Sequence, residues 1–175
     1  MKKVLIIGGA GFVGRYLAEY LTGECGYEVS ITKMKQEVLE YADADILDMD
    51  LLAKEEVEQV LAKCAPDYIF HLAAQSSVAL SWSNPQLTVD VNIKGTLNLL
   101  DVLKEINYPG RVLLIGSGEE YGYVNPEEVP ISEDTVLRPG NIYAATKGCQ
   151  NMLAAIYARA YQLNLVMVRA FNHVG

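Results

Sequence analysis

The chain has 175 residues, of which 51% are hydrophobic, so it is long enough and apolar enough to bury the core of one folded domain. Its formal net charge of −8 argues against nucleic acid or an anionic membrane as a partner, and no stretch reaches the roughly 18 apolar residues that span a membrane. The three cysteines, Cys25, Cys64 and Cys149, lie far apart without a CxxC pair, which disfavours a disulfide framework or a metal site and favours the reducing cytoplasm.

Short apolar runs typical of buried β-strands alternate along the chain with longer helical patterns. The predicted strands are residues 4–8, 27–32, 67–72, 111–116 and 165–170, with a weaker run at 42–47. The predicted helices are residues 12–23, 50–64, 86–106 and 143–162. This alternation predicts an α/β fold, namely a Rossmann-like doubly wound parallel sheet with helices on both faces.

A glycine-rich segment, IIGGAGFVG at residues 6–14, follows the first predicted strand and opens the first predicted helix. Gly8 permits a tight turn, Gly11 lets the backbone approach a pyrophosphate, and Gly14 lets the helix pack closely on the strand. The free N–H groups and the positive dipole end of the helix face that anion. The segment therefore indicates a dinucleotide site, and a glycine-rich turn without a ligand is the alternative.

The end of the second predicted strand bears on the choice of dinucleotide. It reads ITKMK, with Lys33 and Lys35 and no acid before Glu37. An acid there would bond the ribose hydroxyls of NAD, whereas a lysine can pair with the 2′-phosphate of NADP. Lys33 therefore favours NADP, with NAD possible, unless both lysines are simply solvated. Near the third run, Asp45 and Ile46 are expected beside the adenine, with an Asp-rich turn as the alternative.

A serine, a tyrosine and a lysine form the predicted chemical centre. Ser117 follows the strand RVLLIG at the carboxyl end of the sheet, and IYAATK places Tyr143 one helical turn before Lys147. A free tyrosine has a pKa of about 10, and a nearby ammonium favours the phenolate. We therefore expect Lys147 to lower the pKa of Tyr143. Since a tyrosine and a lysine also meet at this spacing by chance, the pair is interpreted together with the glycine segment.

Taken together, these motifs resemble the extended branch of the short-chain dehydrogenase/reductase superfamily, the epimerase/dehydratase enzymes that act on nucleotide sugars. The segments that carry the likeness cover nearly the whole chain: GGAGFVG (8–14), DIL (45–47), HLAAQSSV (71–78), VNIKGTLNLLD (91–101), GSGEEYG (116–122), YAATK (143–147) and RAFNHVG (169–175). The forms SGEEYG and RAFNHVG look most like GDP-6-deoxy-4-keto-mannose reductases, near relatives of the GDP-mannose 4,6-dehydratases. Ile7, Ile142 and Thr146 depart from the usual threonine, proline and serine of the family, and none of them removes a catalytic group.

The resemblance implies hydride chemistry at the C4 carbon of a sugar nucleotide. Tyr143 would give a proton to the C4 oxygen as hydride arrives from NADPH, Ser117 would hold that oxygen, and Lys147 would bond the nicotinamide ribose. Glu119 lies where dehydratases keep the base that abstracts a proton at C5, so it separates a dehydratase from a reductase. Further residues implied at the cofactor are Phe12, Val13, Leu72, Ala73 and Ala74, and those implied at the substrate are Gln75, Ser76 and Asn172.

Three other polar residues receive structural interpretations. His71 is interpreted as a strand-end histidine with satisfied hydrogen bonds, and Asn92 as support for the backbone near the active-site strand. Glu120 is interpreted either as a reductase-like signature or as a solvated residue.

The leading hypothesis is an NADP-dependent reductase of a GDP-6-deoxy-4-keto-hexose. A GDP-mannose 4,6-dehydratase, a 4-epimerase and a non-catalytic dinucleotide sensor are the alternatives. The resemblance implies a C-terminal substrate domain that this sequence lacks, so we expect residues 1–175 to be the NAD(P)-binding N-terminal part of a longer enzyme, with little activity alone. It also implies a homodimer formed through helices 86–106 and 143–162.

Overall fold

The computed structural model describes residues 1–39 and 43–173. Six strands form one parallel sheet in the order β3-β2-β1-β4-β5-β6. The strands are β1 Lys3–Ile7, β2 Glu28–Lys33, β3 Asp45–Asp48, β4 Tyr68–His71, β5 Arg111–Ser117 and β6 Asn164–Ala170. The order reverses at β1, where a Rossmann-like doubly wound sheet has its ligand crevice, so the predicted fold class is confirmed.

The sheet is packed on both faces, because alternate residues of a strand point to opposite sides. Leu5 and Ile7 of β1 are buried in the larger core with α2, α5 and α6, whereas Val4 and Ile6 are buried in a smaller core with α1. The helices are α1 Phe12–Gly23, α2 Lys54–Cys64, α3 Val78–Ser83, α4 Pro85–Val89, α5 Gly95–Glu105 and α6 Ile142–Tyr161.

Three helical segments differ from their predictions. The predicted helix 50–64 begins only at Lys54, because the Asp50 carboxylate accepts a hydrogen bond from the Leu52 backbone and forms a turn first. The predicted helix 86–106 is divided into α4, a π-helical turn at Asp90–Lys94 and α5. Helix α3 was not predicted. Its N-cap is Ser77, whose hydroxyl oxygen accepts a hydrogen bond from the Leu80 backbone N–H.

The third strand also lies later than its predicted run of 42–47, whose residue 42 falls outside the described residues. Pairing with β2 sets the strand at Asp45–Asp48, with Lys33 directly opposite Asp48. The turn that follows β3 at the carboxyl edge of the sheet therefore begins after Asp48 and ends where α2 begins at Lys54.

The glycine segment after β1 packs too closely for side chains at three of its positions. A Cβ at Gly8, which has a φ of +80°, would lie 2.6 Å from the backbone of Ala73, and one at Gly9 would meet the Ile31 side chain. A Cβ at Gly14 would lie 2.5 Å from the Cα atom of Gly9. Gly11 differs, because the nearest atom to its added Cβ is a carbonyl oxygen 3.6 Å away. Close packing therefore accounts for Gly8, Gly9 and Gly14, whereas Gly11 has room for a side-chain carbon in ordinary van der Waals contact.

This packing predicts that a methyl group at Gly14 is costly. Gly14→Ala should lower the free energy of unfolding by about 2 kcal/mol or more, since the clash involves backbone that has no alternative rotamer. Gly23→Ala is the matched control, because it lies in the same helix with no atom within 4 Å of the added Cβ. Chemical denaturation of both variants measures the difference, and equal stabilities would contradict the close packing.

Candidate active site

A cleft of about 1110 Å³ lies over the carboxyl ends of the strands. The glycine segment and Lys33 line one part of it, and Ser117, Tyr143 and Lys147 line another. This is the position at which doubly wound sheets bind ligands. The remaining predicted residues that line the same cleft are Phe12, Val13, Leu72, Ala73, Ala74, Gln75, Ser76, Glu119 and Asn172.

Asp45 and Ile46 do not lie at the cleft, so their predicted position beside the adenine is wrong. Asp45 begins β3 rather than following it, and its carboxylate pairs with Lys63 at 3.8 Å on the opposite edge of the sheet. Instead, Asp50 and Leu51 line the cleft from the turn after the strand. The available signal was Asp50 itself, an acid in the turn between β3 and α2.

Tyr143 is half-buried in the first turn of α6, which begins where the Asn141 side chain accepts a hydrogen bond from the Ala144 backbone at 2.8 Å. Burial raises the pKa of Tyr143, a hydrogen bond with the Ser117 side chain works in the opposite direction, and the charges of Glu120 and Glu119 raise it further. The expectation that Tyr143 has a lowered pKa is therefore wrong for the protein without ligand. Its phenol stays protonated at neutral pH.

Lys147 is buried and bonded within the protein. Its ammonium donates to the Ile115 carbonyl oxygen at 2.8 Å and to the Gln150 side-chain oxygen at 3.2 Å. Burial lowers the pKa of Lys147 to about 8, partly offset by the negative charge of Glu120. The ammonium is directed at a carbonyl of β5 instead of at the phenol. Burial is therefore the main influence on the pKa of Tyr143, and it raises that pKa.

Glu119 and Glu120 are adjacent in sequence but occupy opposite environments. Glu119 is exposed at the cleft, and its carboxylate accepts a hydrogen bond from the Asn141 side chain at 3.0 Å. Glu120 is 0% exposed, so the solvated interpretation of this residue is wrong. The two side chains point apart because the 3₁₀ turn at Gly118–Tyr121 follows directly on β5.

The buried Glu120 carboxylate is held by three groups. It accepts from the Ser117 backbone N–H at 2.8 Å and from the Asn151 amide at 3.0 Å, and it pairs with Arg169 at 3.3 Å. Arg169 also donates to the Tyr121 hydroxyl at 3.1 Å. A buried carboxylate needs such partners, and these bonds tie β5, β6 and α6 together beneath Ser117.

Asn92, in the π-helical turn, joins the two parts of the cleft. Its side-chain oxygen accepts from the Gln75 backbone N–H at 2.8 Å, and its amide group donates to the Gln75 carbonyl at 3.1 Å and to the Thr146 hydroxyl at 2.9 Å. The Thr146 hydroxyl in turn donates to the Tyr143 carbonyl at 2.7 Å. The predicted backbone support by Asn92 is present, and it extends to the helix that carries Tyr143.

The Gln75 side chain is also engaged. Its amide nitrogen donates to the Thr88 hydroxyl at 2.7 Å, and its oxygen accepts from the Ser77 backbone at 2.6 Å. Gln75 therefore lines the cleft while its polar groups are bonded within the protein.

His71 is 1% exposed, and only one of its ring nitrogens is bonded. Nε2 lies 3.1 Å from the Thr96 hydroxyl, which itself donates to the Asn92 carbonyl, so Nε2 carries the proton. Nδ1 has no hydrogen-bond partner among the described residues, so the prediction of a satisfied histidine is wrong at this atom. Burial, followed by the charge of Lys147, lowers the pKa of His71 to about 3.

The His71 environment predicts a loss of stability in mild acid. Between about pH 3 and 6.5 the unfolded chain binds a proton at this histidine and the folded protein does not, so stability falls as pH falls below 6.5. Between pH 7 and pH 5, the free energy of unfolding should drop by about 2 kcal/mol more in the wild type than in His71→Gln. Urea denaturation at both pH values measures this, and parallel losses would contradict the assignment.

The sequence and the fold of this chain are similar to those of known proteins. The sequence model of the family described as GDP-mannose 4,6 dehydratase matches residues 5–175. The chain belongs to this family. It thereby belongs to the NAD-dependent epimerase/dehydratase superfamily, as the motifs predicted.

Individual relatives include reductases and epimerases. The GDP-6-deoxy-D-mannose reductase of Pseudomonas aeruginosa is 30% identical over 99% of this chain and 53% of its own length. The crystal structure of the UDP-glucose 4-epimerase of Brucella ovis in complex with NAD has a TM-score of 0.90 at 30% identity, covering 98% of this chain and 52% of that one. RMD from P. aeruginosa, complexed with NADPH, has a TM-score of 0.81 at 30% identity, covering 99% and 55%. The chain thus spans about half the length of the relatives it matches.

Residues 1–39 and 43–173 contain neither a candidate membrane-spanning helix nor a candidate metal cluster. In this part of the chain, no helix is long and apolar enough to cross a membrane. No group of three or more histidine, cysteine, aspartate or glutamate side chains is arranged there to hold a metal ion.

Proposed function

We propose that the chain is the dinucleotide-binding part of an NADP-dependent nucleotide-sugar oxidoreductase, which reduces the C4 keto group of a GDP-6-deoxy-4-keto-hexose. The observation that carries the proposal is one cleft with the glycine segment in one part and Ser117, Tyr143 and Lys147 in another. The likeness to the P. aeruginosa reductase and to RMD complexed with NADPH supports the choice of reaction and cofactor.

The residues present fit a dinucleotide. The first turn of α1 presents backbone N–H groups without an acidic side chain in that turn, and the missing side chain of Gly11, which lines the cleft, lets a pyrophosphate approach. Lys33 lies at the end of β2, where it can reach a 2′-phosphate. When bound, NADPH supplies the hydride.

The raised pKa of Tyr143 suits the reductive direction. A protonated phenol donates its proton to the C4 oxygen as negative charge develops there, and the Ser117 hydroxyl holds the same oxygen. Lys147 contributes positive charge beside this pair and, by releasing the Ile115 carbonyl, becomes free to bond a ribose hydroxyl.

Glu119 favours a second candidate, the dehydration of GDP-mannose. Its exposed carboxylate at the cleft is available as the base that abstracts the C5 proton, while Asn141 positions it. The family match and the glutamate together support this alternative.

Exposed apolar residues support the predicted homodimer. Val89, Met152 and Ile156 are 42%, 61% and 50% exposed on the two predicted pairing segments. Their burial against a second copy would remove them from water. The homodimer stays a prediction.

Gly11→Asp tests the dinucleotide site without disturbing the fold. Aspartate is a favoured helix N-cap, and a Cβ atom added at Gly11 meets nothing closer than 3.6 Å, so thermal stability should be retained, while the side chain and its charge repel the pyrophosphate. Calorimetry should show NADPH and NADH binding weakened at least tenfold. Gly23→Asp, with the same charge change at the other end of α1, should bind like the wild type. Unchanged binding by Gly11→Asp would refute the site.

Glu119→Gln separates the two reactions. The assay uses the proposed enzyme that contains this chain. Glu119→Gln should abolish dehydration of GDP-mannose, since an amide cannot act as the base. The same change should lower the rate of 4-keto reduction less than tenfold. Product analysis with both GDP-sugars measures the two rates. A reduction rate that falls as far as dehydration would contradict the reductase assignment.

A further inference from the structure

Lys33 and Asp48 are the last residues of β2 and β3 and lie directly opposite each other in the sheet. The Lys33 ammonium lies 2.6 Å from Asp48 Oδ1 and 3.3 Å from the Met34 carbonyl oxygen. The lysine side chain is 15% exposed and the Asp48 side chain 49% exposed, so water screens this ion pair from the aspartate side. Two of the three ammonium donors are therefore used within the protein.

The second lysine of this region is held in the same way. The Lys35 ammonium lies 2.8 Å from Glu56 Oε1, and the other oxygen of Glu56 accepts from the Asp50 backbone N–H at 2.8 Å. Glu56 lies on α2, so the pair draws Lys35 toward that helix. Lys33 is left as the lysine of the ITKMK segment that lines the cleft.

A carboxylate also lines the cleft at this edge. Glu37 accepts a hydrogen bond from the Met34 backbone N–H at 2.7 Å, and its remaining oxygen can accept from a ribose hydroxyl. This edge of the cleft thus places the Glu37 carboxylate, an acceptor that suits a 2′-hydroxyl, beside Lys33, whose charge is already paired with that of Asp48.

We propose that Asp48 is a specificity-determining residue of the dinucleotide site: it competes with a 2′-phosphate for the Lys33 ammonium, and so narrows the preference of the site for NADPH over NADH. The inference rests on the proposed function, since it presupposes a bound dinucleotide. A phosphate oxygen and Asp48 Oδ1 that both contact the Lys33 ammonium lie about 4 to 5 Å apart, given contacts of about 2.7 Å each. At this separation, one negative charge changes phosphate affinity by about tenfold.

The test is calorimetric titration of the 175-residue chain with NADPH and with NADH. Asp48→Asn should tighten NADPH binding about tenfold and leave NADH binding within twofold of the wild type. Asp45→Asn is the matched control, because it removes the same charge from the opposite end of the same strand, and it should change neither affinity. Lys33→Met in the Asp48→Asn background should abolish the gain for NADPH. Asp48→Ser repeats the test if the asparagine variant melts early.

Three results would overturn the inference while the wild type still binds dinucleotide. Weaker NADPH binding by Asp48→Asn would mean that Asp48 positions Lys33 for the phosphate rather than competing with it. An equal gain for NADH, or an equal gain from Asp45→Asn, would mean a general effect of net charge. Binding of neither dinucleotide by the folded wild type would instead remove the proposed function, and this inference with it.

Discussion

Close backbone packing around β1 determines where everything else at the carboxyl edge lies. The chain leaves this central strand through Gly8 and Gly9, which touch Ala73 after β4 and Ile31 of β2, and it turns into a helix whose Gly14 lies against the Gly9 backbone. Three neighbouring segments therefore meet at van der Waals distance with no room for a side chain between them. The start of α1, and with it the row of free N–H groups that faces the cleft, is positioned by this contact.

The corner of the cleft that contains Ser117 and Tyr143 is held differently, by buried polar groups. The Glu120 carboxylate bonds groups of two strands and a helix, and the Asn92 amide bonds the loop after β4 and helix α6. Both side chains are buried below the residues that face the cleft. Such networks are costly when incomplete and rigid when their bonds are made. They hold Ser117 and Tyr143 near one another from the protein side, so that the corner does not depend on a ligand for its shape.

Much of this arrangement could be predicted from local patterns. The glycine segment, Ser117, Tyr143 and Lys147 lie at ends of strongly apolar strands or in a long helix, and these elements were recognisable from the sequence. Asp45 was misplaced because β3 is short and weakly apolar, so its position depends on pairing with β2 rather than on its own residues. The burial of Glu120 depends on Arg169, which is 49 residues away along the chain, and the bonds of Lys147 depend on the Ile115 carbonyl, 32 residues away. No local pattern reports such partners.

The hydrogen bonds of Asn92 have a mechanical consequence. One side chain holds both backbone groups of Gln75 and, through the Thr146 hydroxyl, the backbone of Tyr143. The loop beyond β4, which lies against the glycine turn, and the first turns of α6 are thereby coupled over a path of three short bonds. The position of the loop therefore constrains the position of the tyrosine, and the two walls of the cleft are braced against each other through one buried side chain.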